Sequence, residues 1–250
     1  MLNLAKNILQ QSYNDLIKKN NNTAVLILED GKKIFGTGFG YPSIKVGELC
    51  FNTAMTGYQE IITDPSYNGQ IITFTFPHIG NVGTNLNDYE SSKSFASGII
   101  TREPPPLSSN WRSENEFGNW LIKMKLTGIY GIDTRFLTKY IRDKNAPTGL
   151  ICFNPNKSFN FKLLNKTLES WPRIKGANLI PNVSSKRINK WRENSWNVKK
   201  NVSKNKKFHV IAFDFGIKNN ILRNLYDLGL EVTVVPFESS IQKIKDLKPD

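Results

Sequence analysis

Apolar positions fall into short unbroken runs over the first two-thirds of the chain and into a strand–helix–strand rhythm near its end. Residues 23–29 (TAVLILE) form an apolar run of strand length, the pattern of a strand buried on both faces. Asp30-Gly31 is a hairpin turn signal, and residues 32–35 begin the return strand. The GTGFG run at 36–40 has no helix after it and the wrong spacing for a dinucleotide fingerprint, so it reads as a flexible strand exit. Residues 46–52 predict a third strand. Residues 70–76 (QIITFTF), rich in β-branched and aromatic side chains, predict a fourth. Residues 95–101 (FASGIIT), the short apolar run 128–132 and the closing run 149–153 complete this set.

Helical spacing appears between these runs. Leu2, Leu4, Ile8, Leu9, Tyr13, Leu16 and Ile17 predict an amphipathic helix in an N-terminal extension, residues 1–22, that ends in Lys-Lys-Asn-Asn-Asn. Residues 57–63 predict a short helix or single turn, residues 88–94 a polar helix, and residues 114–124 a capped one. Asp133 opens a helix at 134–142, with Phe136, Leu137, Tyr140 and Ile141 on one face. Residues 154–207 read as a linker with a small helix near 161–168.

The end of the chain changes rhythm. Residues 208–213 (FHVIAF) predict a buried strand, Asp214-Phe215-Gly216 a turn, 217–228 a helix ended by Gly229, and 231–235 a second strand closed by Pro236. That order predicts a parallel βαβ unit, with another helix over 240–247. Two parallel strands cannot cover their own faces, so this pattern is expected to stop inside a domain. Asp-Phe-Gly also occurs in kinases, but no H-R-D loop or Gly-rich loop precedes it.

Charge adds one feature. The net charge of the 250 residues is +13, and residues 181–207 hold nine Lys/Arg against the single acid Glu193, with Trp191 and Trp196 interleaved. Such a stretch suits either nucleic-acid contact or a solvated linker, and no nucleic-acid fold motif accompanies it. The two cysteines, Cys50 and Cys152, have no C-x-x-C or Cys/His spacing, which argues against structural zinc and fits a reduced, cytoplasmic setting. No run of about 18 apolar residues predicts a membrane-spanning helix, and the N-terminus lacks the marks of a signal peptide.

The densest chemistry lies in residues 51–83, FNTAMTGYQEIITDPSYNGQIITFTFPHIGNVG. Here a strand stands between two turns rich in Gly, Pro, Thr, Ser and Asn, an arrangement that presents loop surface on a rigid support. Ser66 occupies the tip of the Asp64-Pro65-Ser66-Tyr67-Asn68 turn. His78 is of a residue type that can act as a general base but has no Ser or Cys partner nearby in sequence, so it reads as a loop residue. Asp133, Arg135 and Arg142 read as capping and surface-pairing residues.

This stretch resembles the signature of the small, glutamine-handling chain of carbamoyl phosphate synthetase almost letter for letter, with Ala54 where Ser or Gly is more familiar. The SNWR run, GIYGIDTRFLTKYIRDK and DFG-x-K-x-NILR with its following VTVVP are similar to further blocks of that family. Asn145 departs from the family's Gly, and Asn219 from its Arg. The resemblance spans residues 23–250. It implies an α/β fold: an N-terminal mixed β/α small-chain domain over 23–154, a basic linker over 155–207, and over 208–250 the first βαβ unit of an incomplete class I glutaminase domain with an open parallel sheet.

The resemblance also implies the chemistry. A class I glutaminase uses a Cys on a strand-to-helix elbow, activated by His and Glu, and neither Cys50 nor Cys152 sits on such an elbow. The triad is therefore expected beyond Asp250, no catalytic residue is assigned, and residues 1–250 alone are expected to be inactive. Ser66 carries over as a glutamine-binding residue. The implied partners are L-glutamine and the large synthetase subunit, which would bind ATP and Mg; no cofactor is expected in this chain, and neither membrane nor nucleic acid is an expected partner. Ammonia from glutamine would supply carbamoyl phosphate formation for arginine and pyrimidine synthesis. The rival reading is a non-catalytic binding module whose basic linker contacts nucleic acid or an acidic partner.

Overall fold

The structure, a computed structural model, describes residues 22–196 and 208–250. The expected helix over 1–22 lies outside the described residues but for Asn22, as does the last part of the basic run.

Seven strands close into a barrel in the order β1-β2-β6-β5-β4-β3-β7. They are β1 (Ala24–Leu28), β2 (Lys33–Gly40), β3 (Ile44–Asn52), β4 (Gln70–Phe74), β5 (Gly98–Ile100), β6 (Thr127–Tyr130) and β7 (Thr148–Phe153). β1 pairs antiparallel with β2 and with β7, so the first and last strands seal the barrel. β3–β4, β4–β5 and β5–β6 are parallel, which requires long crossovers; those after β3 and β5 carry helices. The mixed α/β class is as expected; closure into a barrel was not legible strand by strand.

β1 shows why its run is apolar throughout. Ala24, Leu26 and Leu28 point into the barrel with Leu49, Ile71, Ile100, Ile129 and Ile151, and Leu137 and Ile141 join this cluster from α3 (Thr134–Asp143). Val25 and Ile27 face outward and are covered by Leu164 and Leu168 of α4 (Phe161–Glu169). The outer face of β4 and β5 is covered by α1 (Tyr58–Thr63) and α2 (Phe117–Lys123), through Tyr58, Ile62, Phe117, Trp120 and Leu121. The interior is a packed core, not a ligand chamber.

Two local expectations change. Residues 36–40 are not a strand exit: β2 runs through them and pairs with β6 from Thr37↔Tyr130 to Gly40↔Thr127. Residues 88–94 form bends rather than a helix, because the Asp88 N–H is held by Asn85 of the same loop and Glu90 and Ser91 spend polar groups on Thr63. Asp133 caps α3 by accepting the Phe136 N–H at 3.0 Å, and Asn145 takes the left-handed conformation just after that helix (φ 54°).

The segment after the barrel is ordered in pieces: α4, α5 (Ile180–Val183) and β8 (Asn189–Trp191). β8 joins a second sheet of order β8-β10-β9. β9 (His209–Asp214) and β10 (Glu231–Pro236) are parallel, joined through α6 (Asn219–Asp227), as the sequence pattern requires; β8 lies antiparallel on β10. Ala212, Leu222, Val232 and Val234 form this layer's core, against which Trp191 and Leu225 pack. α7 (Ile241–Asp246) begins with Ser240 accepting the Lys243 N–H.

Candidate functional site

Signature residues that look chemical in sequence turn out to divide into those that build the loops and those that face out of them. Tyr58 donates its hydroxyl to the Gly83 carbonyl at 2.6 Å. The Gln59 side chain pairs with the backbone of Asn85 in both directions, at 2.7 Å and 3.0 Å. Both side chains are buried and hold the loop after Pro77 against α1. A buried amide needs such partners on each side, and here it has them.

The Asp64-Pro65-Ser66 turn forms the tip next to α1. Pro65–Tyr67 is a single 3-10 turn with Asp64 as its cap, whose Oδ1 accepts the Ser66 N–H at 2.9 Å. Asp64 is buried (4% exposed), and a buried carboxylate demands a counter-charge. Lys218, at the start of α6, supplies it: Nζ lies 2.7 Å from Asp64 Oδ2. That hydrogen bond, followed by the Asp64 charge, raises the Lys218 pKa above its ordinary value against the opposing effect of desolvation. The ammonium is thus held charged at neutral pH.

The second layer reaches this turn through Asp214-Phe215-Gly216. Asp214 accepts N–H groups from Gly216 at 2.9 Å, Ile217 at 3.0 Å and Ser185 at 2.7 Å. Gly216 has φ 97°, and a Cβ there would stand 3.2 Å from Pro65 Cβ and 3.0 Å from Val183 Cγ2. Glycine therefore lets the backbone after β9 close directly over Pro65. Ser66, one residue on, stays exposed, and its hydroxyl has no hydrogen-bond partner among the described residues. A free hydroxyl beside a paired carboxylate–ammonium at a two-layer junction can donate to a ligand carboxylate or accept from a ligand ammonium.

The remaining candidates take structural roles. Arg142 pairs with Asp143 at the surface, and Arg135 is exposed. His78 is exposed and meets the Phe76 ring edge-on at 5.5 Å. Cys50 donates its thiol to the Ile71 carbonyl at 3.7 Å, and burial pushes its pKa up to about 12. Burial also raises the Cys152 thiol. Neither environment favours a thiolate, so neither cysteine is arranged as a nucleophile. Among the described residues no cluster of three His, Cys, Asp or Glu could hold a metal, and no helix is long and apolar enough to cross a membrane. A cleft lined by Leu86, Asn87, Glu193, Asn194, Trp196 and Arg223 lies at the same junction but contains no nucleophile.

Residues that sequence reasoning passed over are Asp64, Glu90, Asn220 and Arg223. Glu90 and Arg223 are buried charged residues at the layer junction. Their signal in sequence was slight: Glu90 sits in a polar run, and Arg223 lies in the middle of an amphipathic helix pattern.

The family model described as carbamoyl-phosphate synthase small chain, CPSase domain, matches residues 26–151, which is the barrel from β1 to β7. The chain is 45% identical over 234 residues to the carbamoyl phosphate synthase small chain of Bradyrhizobium diazoefficiens, covering 91% of this chain and 59% of that protein. It is 44% identical over 228 residues to the protein of the same name from Zymomonas mobilis, covering 90% and 61%, and 44% over 232 residues to that of Buchnera aphidicola, covering 91% and 60%. The chain spans about three-fifths of the length of these relatives.

Proposed function

The chain belongs to the carbamoyl-phosphate synthase small chain family, and from that premise we propose that it serves as the small subunit of a glutamine-dependent carbamoyl phosphate synthetase. In this reading glutamine is hydrolysed and its ammonia passes to a large synthetase subunit, which uses ATP and Mg to form carbamoyl phosphate in the cytoplasm for arginine and pyrimidine synthesis. The layer formed by β9, α6 and β10 is read as the start of a class I glutaminase domain. The barrel is read as the docking part of the molecule and as one wall of the glutamine site.

The observation that carries this reading is the Ser66 turn. Its hydroxyl is free, and its backbone is fixed through Asp64 by Lys218 from the adjoining layer. Ser66 would contact the amino-acid end of glutamine. The glutamine amide would then meet a nucleophile on another segment, because desolvation raises the pKa of both the half-buried Cys50 thiol and the buried Cys152 thiol. Residues 1–250 on their own are accordingly expected to release no ammonia from glutamine.

The basic stretch supports a structural role rather than nucleic-acid contact. Lys190 pairs with Glu231 at 2.7 Å, Lys186 donates to the Pro181 carbonyl at 2.8 Å, and Trp191 packs into the second layer's core. Co-expression with a large synthetase chain tests the assignment. A complex that survives purification supports it; a chain that migrates alone, in the presence of excess large chain at micromolar concentration, overturns it.

A further inference from the structure

Helix α6 starts without a cap of its own. Its cap position is Lys218, whose side chain accepts nothing from the first turn. The amides of Asn219 and Asn220 therefore need acceptors from outside the helix. Glu90, on the barrel side of the junction, provides both. Its carbonyl accepts the Asn219 N–H at 3.0 Å. Its carboxylate accepts the Asn220 N–H at 2.9 Å and the Asn220 side-chain amide at 2.8 Å. Glu90 is buried, and its negative charge faces the positive end of the helix.

Glu90 is itself tied to the turn that carries Ser66. Its N–H donates to Thr63 Oγ1 at 3.0 Å, and the next residue, Ser91, donates its hydroxyl to the Thr63 carbonyl at 2.5 Å. Thr63 is the last residue of α1 and the neighbour of Asp64. Arg223 closes the far side, donating from Nη1 to the carbonyls of Asn87 and Tyr89 and to Asn220 Oδ1. The contacts form a closed circuit: Thr63 to Glu90, Glu90 to the first turn of α6, Lys218 at the head of α6 to Asp64, and Asp64 to Ser66.

We infer that Glu90 is a positioning residue that caps α6 from the barrel and so fixes where the Lys218 ammonium meets Asp64, setting the attitude of Ser66 without touching it. The inference rests on the reading of Ser66 as a glutamine contact only in its last step. The cap itself stands on geometry. Its consequence is directional: a change at Glu90 should be felt at the Ser66 amide, whereas a change at Lys218 should be felt at Ser66 but not at Asn219 or Asn220.

The test is residue-resolved amide exchange on the chain, comparing wild type with Glu90→Ala, Glu90→Gln and Lys218→Met. Glu90→Ala removes the carboxylate but keeps the main-chain carbonyl that accepts the Asn219 N–H, so it is expected to speed exchange about tenfold at Asn220 and Ser66, with the β1 amides unchanged. Glu90→Gln keeps an oxygen for the Asn220 N–H and should restore most of the protection at both. Lys218→Met should speed exchange at Ser66 alone. Unchanged exchange at Ser66 in Glu90→Ala, with Asn220 exposed, overturns the positioning role. If Glu90→Ala fails to fold, Asn220→Ala, which removes the side-chain bonds to Glu90 and Arg223 but leaves the Asn220 N–H on the Glu90 carboxylate, must still raise exchange at Ser66 or the inference fails. Titration with L-glutamine separates the two layers of the argument. Amide exchange that responds as expected, with glutamine signals indifferent to Ser66→Ala, overturns the glutamine contact and leaves Glu90 a cap with no role in ligand positioning.

Discussion

Asp64 and Lys218 meet across the junction of the two layers, with Nζ 2.7 Å from a carboxylate whose other oxygen holds the Ser66 amide. One buried carboxylate thus couples the barrel's exposed turn to the head of α6. Lys218 is 44% exposed at its side chain, which screens the pair, but Asp64 is only 6% exposed and loses its counter-charge, so Lys218→Met is expected to lower stability by about 1–3 kcal/mol. The Lys218 pKa is raised on folding, so its contribution is complete below the ordinary lysine value of 10.5 and is lost as pH climbs through the folded value. Urea unfolding of wild type and variant should therefore differ by a constant amount from about pH 7 to 9 and converge in the alkaline range. A difference that already shrinks between pH 7 and 9 would count against the pair.

Cys50 should be chemically quiet. With its thiol pushed up to about 12 and pointed at the Ile71 carbonyl, little thiolate exists at pH 8. Alkylation by iodoacetamide, followed by peptide mass analysis, should proceed at Cys50 at least about tenfold more slowly in the native chain than in urea. Equal rates in both states would contradict the buried, hydrogen-bonded thiol.

The barrel interior leaves no room at Gly149. A Cβ placed there would stand 2.8 Å from Leu49 Cδ2, and Leu49 is fully buried. Gly149→Ala is expected to lose about 1–3 kcal/mol by overpacking. Leu49→Ala alone opens a cavity and should cost about 2–5 kcal/mol. Combined, the two should destabilise by less than their sum, because each relieves the other. Denaturant unfolding of the four proteins measures the coupling, and strict additivity would place Gly149 elsewhere than against Leu49.

The cap on α3 gives a smaller effect. Asp133→Ala removes the acceptor of the Phe136 N–H and should lower stability by about 0.5–2 kcal/mol, with Asp133→Asn retaining most of it. Thermal unfolding distinguishes the two variants. Equal losses in both would show that the charge, not the acceptor, matters there.

Local pattern was a good guide where a single element decides the outcome. The apolar run 23–29, the Asp133 cap and the parallel β9–α6–β10 unit all follow from residue type and spacing. Barrel closure was not legible in the same way, because it depends on β1 meeting both β2 and a strand more than a hundred residues away. β8 was hidden for a related reason: three residues in a basic stretch become a strand only because β10 offers them an edge. Ser66 was marked by its turn and by resemblance. The groups that position its turn, Glu90 and Lys218, come from segments whose local patterns suggest only a polar run and a turn before a helix.

The glutamine contact is the central claim, and it can be read at a single amide. Under the proposed function, isotope-labelled chain titrated with L-glutamine should show a saturable shift of the Ser66 N–H signal, with a dissociation constant in about the millimolar range. Ser66→Ala should weaken that binding by about tenfold, the loss of one hydrogen bond to a charged ligand group. A Ser66 signal that stays fixed throughout the titration, or moves identically with D-glutamine, would contradict the account.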